Sequence, residues 1–308
     1  MRWLNCRRKQ ALVVVAVVMF GLGGGCGSSE LEEIVDAPEM VSEAGPPDSS
    51  PLLGDGRPAP VYLPAAYDAR ESWPLVILLH GYRATGAVQD AYLGVSKRVD
   101  SDGFVLVIPD GTRSTAGFQF WNATEFCCDF EGQNPDDASY IRGLVNEAKL
   151  RFSIDERRVY LLGHSNGGFM AYHMACEAGD IITAIASLAG TTFVSDESCR
   201  GTGPVSVLQI HGTADRTIVY EGNRYYPGAV ETVERWRTRN RCGEFEDKRP
   251  LGLVSSLAGE ETTVRSVAGC DEDTTVELWT VEGGSHVPFF QPAFMEQTLQ
   301  FLLRHQKP

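Results

Sequence analysis

The sequence predicts an α/β fold in which a mostly parallel central sheet is covered by helices on both faces. Three observations carry this. Short apolar runs rich in Val, Ile and Leu recur without alternation, as strands buried on both faces do. Stretches of helical length separate them, and strands alternating with helices build parallel sheets through right-handed crossovers. One such run also enters a glycine-flanked serine turn and leaves it as a helix. The expected strands are PVYLP (60–64), PLVILLH (74–80), FVLVIPD (104–110), RVYLLG (158–163), AIASLAG (184–190), VSVLQIHG (205–212) and TVELWTVEG (275–283). The expected helices cover 88–99, 138–150, 166–178, 228–240 and 292–305. In the second, Ile141, Leu144, Val145 and Ala148 recur at helical spacing, and Asp137 can cap its start. Residues 111–137, rich in glycine and aromatics, interrupt the alternation and should overhang the carboxyl rim of the sheet. Residues 243–274 should form an excursion or a small antiparallel addition.

Composition sets the domain boundaries. Arg2, Arg7, Arg8 and Lys9 precede the apolar run ALVVVAVVMFGLG, and GGGC ends it at Cys26. This resembles a bacterial lipoprotein signal, residues 1–25, cleaved before Cys26, which would carry the lipid; ordinary secretion is the alternative. Residues 26–56 are acidic, with Pro, Ser and Gly, and cannot repay ordering by burial, so they read as a tether. Residues 57–308 remain as one folded domain, long enough for one large core. The chain has 27 basic and 41 acidic side chains; without residues 1–25 the balance is 23 against 41, about −18. Such a surface repels phosphate backbones, so no nucleic-acid partner is expected, and the membrane is met only through the N-terminal lipid. Oligomeric state is not legible. With Cys6 removed and Cys26 lipidated, six cysteines remain. An even number in an exported chain favours disulfides, with fifteen possible pairings. No CxxC spacing suggests a metal, and no cofactor is expected.

The chemistry is concentrated in YLLGHSNGGFM, residues 160–170. Gly163, Ser165 and Gly167 meet the pattern G-x-S-x-G between a strand and a helix, where the serine sits on a strained turn with its hydroxyl above the sheet. A serine needs an imidazole to take its proton. Of six histidines, His286 in the glycine-rich loop EGGSHVP, just beyond a strand, is best placed to reach over the rim. His80 and His211 end strands and read as structural; His164 should point into the scaffold, His173 should be packed or at the surface, and His305 should be exposed near the terminus. Asp215 in IHGTADRTIVY also follows a strand and is the expected orienting acid, Asp110 and Asp137 being the alternatives. The order Ser165, Asp215, His286 is that of α/β-hydrolases. The backbone amides of Asn166 and Tyr82 are the expected oxyanion donors. Phe118, Phe120, Trp121 and Phe126 are candidates for an apolar substrate wall, with ordinary loop packing as the alternative.

LLHG, DGFVLVIPDG, IDERRVYLLGHSNGGFMAYHMACE, HGTAD and VEGGSHVP together resemble the polyhydroxybutyrate depolymerase and feruloyl esterase family of α/β-hydrolases, over residues 57–305. The resemblance implies an exported serine esterase acting on aromatic or acetyl esters of polysaccharides, or on polyester chains. It puts the nucleophile on Ser165, the acid on Asp215 and the base on His286. It further implies disulfides Cys176–Cys199 and Cys242–Cys270. For Cys127 and Cys128 an adjacent disulfide is expected, free thiols or other pairings being the alternatives. The rival functions are a peptidase using the same triad and a binding lipoprotein that keeps the fold without chemistry.

Overall fold

The computed structural model describes residues 51–201 and 203–308; the signal, Cys26 and the tether up to residue 50 lie outside the described residues. The order of elements is β1 (Leu52–Leu53), β2 (Ala59–Tyr62), β3 (Trp73–Leu79), α1 (Gly86–Leu93), α2 (Val99–Asp102), β4 (Val105–Val107), β5 (Thr112–Arg113), β6 (Gln119–Phe120) and α3 (Asp137–Arg151). It continues with β7 (Ile154–His164), α4 (Asn166–Glu177), β8 (Ala184–Leu188), β9 (Ser206–Gly212), β10 (Gly222–Asn223), β11 (Tyr226–Pro227) and α5 (Ala229–Arg239). The last elements are β12 (Glu246–Leu251), β13 (Thr262–Val267), β14 (Val276–Val281) and α6 (Pro292–Leu303).

Ten strands form one sheet in the order β1-β2-β4-β3-β7-β8-β9-β14-β13-β12. The six from β4 to β14 in this order are mutually parallel, and antiparallel strands finish both edges. This is an α/β-hydrolase-like arrangement. The continuous apolar runs have the physical cause expected of them: successive side chains of β3, β8 and β9 go to opposite faces, and both faces are buried. One face carries Leu75, Ile77, Val159, Leu161 and Val207 and packs with residues of α3, α4 and α5. The other carries Val76, Leu78, Tyr160, Leu162 and Leu208 and packs with α6 and the α1–α2 segment. Residues 243–274 contribute the antiparallel pair β12–β13, as expected.

Three expectations are corrected. The helix expected over 88–99 breaks at Gly94, whose φ of 70° ends α1 with its amide on the Asp90 carbonyl. Asp136, not Asp137, caps α3 by accepting from the Ser139 amide. Asp137 instead lies buried in the first turn and accepts from Arg57 at 2.7 Å, Thr112 Oγ1 at 3.0 Å and the Asn122 amide at 2.9 Å. Finally, the tether does not run to residue 56. Leu52 and Leu53 pair with Pro60 and Ala59, and Leu53 is buried, so enough apolar surface is covered there to order the chain.

Candidate active site

Leu79, Gly163, Ser187, Gln209 and Leu278 lie in one row across the sheet. Because these strands are parallel, the loops that follow them leave from one rim. Ser165 lies two residues beyond the row on β7, and Asp215 and His286 lie in the loops after β9 and β14.

Ser165 stands between β7 and α4 with φ 54° and ψ −119°, a conformation that costs a side-chain-bearing residue about 1–3 kcal/mol. Its amide is held by the Leu188 carbonyl at 2.7 Å. The two flanking glycines are required sterically. A Cβ on Gly163 would lie 2.1 Å from the Gly167 oxygen, and one on Gly167 would lie 2.1 Å from the Leu79 oxygen.

His286 Nε2 lies 2.9 Å from Ser165 Oγ, and its Nδ1 lies 2.7 Å from Asp215 Oδ2. An ionised carboxylate only accepts, so Nδ1 carries the proton and Nε2 is left to accept from the serine. Burial works to raise the Asp215 carboxyl pKa. Hydrogen bonds from His211 and His286, the charge of His286 and the Ile218 amide outweigh it and hold the group well below the usual carboxylate range. Asp215 Oδ1 accepts from the amides of Thr217 at 2.8 Å and Ile218 at 2.9 Å. His211 supports the same acid. Gln209 Nε2 donates to its Nδ1, so its proton is on Nε2, 2.7 Å from the Ile218 carbonyl and 3.4 Å from Asp215 Oδ2.

His164 does point into the scaffold, and there it steadies the histidine loop. Burial, with the His286 ring beside it, pushes its pKa down to about 3, so the neutral ring donates from Nε2 to the His286 carbonyl at 3.0 Å. The Tyr92 hydroxyl donates to the Pro288 carbonyl at 2.8 Å, a second anchor that sequence reasoning missed because α1 lies far away in the chain. His173 is part-buried on the Ala123 carbonyl. His305 is not exposed; it is buried against Phe301, donates to the Phe301 carbonyl, and burial pushes its pKa down to about 4.

The Asn166 amide is the first N–H of α4 and has no acceptor within the helix. Tyr82 follows Gly81, whose Cβ position lies 3.5 Å from Ser165 Cβ. Among the described residues neither amide donates to a protein acceptor. The four wall candidates separate. Phe118 is part exposed, and Phe126 is part-buried and stacks on Tyr225 at 5.4 Å. Phe120 and Trp121 are fully buried and present no surface to a ligand, because the loop folds inward at β6 to fill the space above the sheet. Tyr82, Phe130, Tyr225 and, on the His286 loop, Phe289 are exposed aromatics that the sequence did not mark as wall residues. Asp110 accepts from the Gly86 amide and Gln119 Nε2, away from the triad. Three disulfides join Cys176 to Cys199, Cys242 to Cys270 and Cys127 to Cys128. Among the described residues no group of His, Cys, Asp or Glu could hold a metal ion, and no helix is long and apolar enough to cross a membrane.

Comparison with known proteins places this geometry in context. A family model described as Esterase matches residues 50–284. The chain is 25% identical over 239 residues to feruloyl esterase B of Piromyces equi, covering 73% of this chain and 42% of that protein. It is 32% identical over 210 residues to poly(3-hydroxyalkanoate) depolymerase C of Paucimonas lemoignei, covering 67% of this chain and 44% of that one. The chain therefore spans less than half the length of both relatives. Among solved structures, acetyl xylan esterase from Aspergillus awamori shares the fold, with a TM-score of 0.59, 13% identity, and coverage of 82% of this chain and 98% of that one.

Proposed function

Because the chain belongs to the Esterase family, whose relatives include feruloyl esterases and a polyhydroxyalkanoate depolymerase, we propose that it is a serine carboxylic-ester hydrolase working through an acyl-enzyme. The observation that carries this reading is the unbroken chain of contacts from Ser165 Oγ through His286 to Asp215. In this scheme Ser165 Oγ attacks the ester carbonyl while His286 Nε2 takes its proton. The amides of Tyr82 and Asn166 hold the developing oxyanion, where the loss of one donor costs about 3 kcal/mol. His286 then gives the proton to the leaving alcohol, and a water activated by the same imidazole releases the acid. Asp215 stays ionised and keeps the His286 proton on Nδ1.

The substrates proposed are feruloyl or acetyl esters of polysaccharides, or polyhydroxyalkanoate-type polyesters. The three disulfides place the chain in an oxidising compartment outside the cytoplasm. Anchoring by a lipid on Cys26 is part of the proposal. A p-nitrophenyl acetate assay tests the reaction. Ser165→Ala should lose essentially all turnover, and turnover equal to that of the unaltered enzyme would refute the nucleophile. Product release from feruloylated xylan, acetylated xylan and polyhydroxybutyrate, run side by side, then selects the ester.

A further inference from the structure

We propose that Trp121 is a positioning residue for this reaction: it clamps His80 and Asn166, and through them aims both oxyanion amides, those of Tyr82 and Asn166. The inference rests on the serine-esterase reading and assigns a role to a residue that never touches substrate.

Trp121 is fully buried and joined to both sides of the oxyanion site. Its backbone N–H donates to Asn166 Oδ1 at 2.7 Å, and Asn166 Nδ2 donates back to the Trp121 carbonyl at 2.9 Å. This paired bond spends the Asn166 side chain on holding the start of α4 in place, next to the amide that α4 presents. On the other side, the Trp121 indole N–H donates to the His80 carbonyl at 3.1 Å, and its ring lies 5.1 Å from the imidazole.

His80 passes this constraint on. The Gly111 amide donates to His80 Nε2 at 2.8 Å, so the proton sits on Nδ1, which donates to the Gly81 carbonyl at 2.8 Å. Burial lowers the pKa of the imidazole and keeps it neutral, as this pattern requires. The peptide between Gly81 and Tyr82 is planar and trans, so its N–H points opposite its C=O. Holding the Gly81 carbonyl on His80 Nδ1, with the Ala84 amide at 3.1 Å as a second donor, therefore turns the Tyr82 N–H the other way, and Gly81 itself lies against Ser165. The reciprocal bond uses backbone atoms that any residue at this position supplies, but a tryptophan present only to fill volume would not need its indole N–H on the His80 carbonyl. Preorganised donors are worth most when they cannot rotate away as charge develops.

The experiment compares Trp121→Phe, His80→Asn and His80→Leu with the unaltered enzyme, using p-nitrophenyl acetate, a trifluoromethyl ketone that mimics the tetrahedral adduct, and thermal unfolding. Trp121→Phe keeps an aromatic ring and deletes the indole donor. It should lower kcat roughly tenfold or more, leave KM within about threefold, and weaken the ketone in proportion to the loss in kcat/KM. A Trp121→Phe protein that folds with kcat within about twofold of the original would overturn the proposal, as would a kcat loss without matching loss of ketone affinity. His80→Asn can place an amide donor where Nδ1 stands and should retain more kcat than His80→Leu. If Trp121→Phe does not fold, equal kcat in the two His80 variants overturns the proposal. Failure of the esterase reading would look different: the unaltered enzyme would be inert, or Ser165→Ala would match it.

Discussion

At the scale of single residues, the site depends on tautomers held by neighbours. Asp215→Asn illustrates this. The amide can still accept from Thr217 and Ile218, but it then turns an N–H toward His286 Nδ1, which must give up its proton to accept it. The proton moves to Nε2, and the imidazole can no longer accept from Ser165. Turnover should fall about a thousand- to ten-thousandfold in protein that still folds, with some loss of stability because the depressed carboxylate is gone. A fall of less than about tenfold would show that the acid is not what orients His286. The contact chain of Ser165, His286 and Asp215 was legible because strand-end positions, glycine neighbours and chain order are local or sequential signals. Trp121 was not. Its aromatic character suggested a substrate wall, whereas its burial and its bonds to residues 41 and 45 positions away define its place. Sequence reports residue type, not which side of a loop turns inward.

At the scale of elements, the strand-turn-helix of β7 and α4 depends on the absence of two Cβ atoms. Gly167→Ala would drive a methyl to 2.1 Å from the Leu79 oxygen, backbone against backbone, with no side chain free to give way. We expect a loss of more than about 4 kcal/mol, seen as failure to recover folded protein. Recovery of an active Gly167→Ala enzyme with near-original stability would contradict that packing. The segment before β2 is a second case. Arg57 lies over the Tyr140 ring at 3.4 Å and pairs with the buried Asp137. Arg57→Ala leaves that carboxylate in the interior without its cation and should cost about 3 kcal/mol in a denaturant titration. The Arg57–Asp137 ion pair was not legible in the sequence, because its partners are 80 residues apart. Elements with strong apolar runs were legible to within a few residues. Those closed by a single glycine conformation, such as α1 at Gly94, were not.

At the scale of the whole molecule, acid sensitivity follows from buried neutral histidines. His80, His164 and His305 all have folded pKa values below the unfolded value of about 6.5, lowered first by burial. The unfolded chain therefore binds more protons below about pH 6.5. Their contribution is complete above that pH and is lost as pH falls, until the folded values near 4 for His305 and 3 for His164 are reached. His164 and His305 together can steepen the stability slope by up to about 3 kcal/mol per pH unit between pH 6 and 5, and His80 acts in the same direction. Asp215 is also depressed, and its contribution is lost progressively from about pH 5 downward, so it leaves the range from pH 7 to 5 nearly unchanged. Urea midpoints at pH 7, 6 and 5 measure the slope, and His305→Gln should remove about one proton from it. A variant with an unchanged slope would show that His305 titrates normally in the fold. Reduction of the protein should also destabilise it. The Cys176–Cys199 and Cys242–Cys270 bonds close loops of 23 and 28 residues, each worth about 3 kcal/mol in the chain-entropy account.

The amino-acid sequence by itself determined the parallel sheet, the serine turn and the chain order of Ser165, Asp215 and His286, the residues proposed as nucleophile, acid and base, because periodicity, glycine placement and succession along the chain are one-dimensional properties. The tertiary structure alone decided that Tyr92 and His164 hold the His286 loop, that His211 backs Asp215, and that Trp121 ties His80 to Asn166. The physical reason is that a hydrogen bond extends about 3 Å in space, whatever the separation of its partners along the chain.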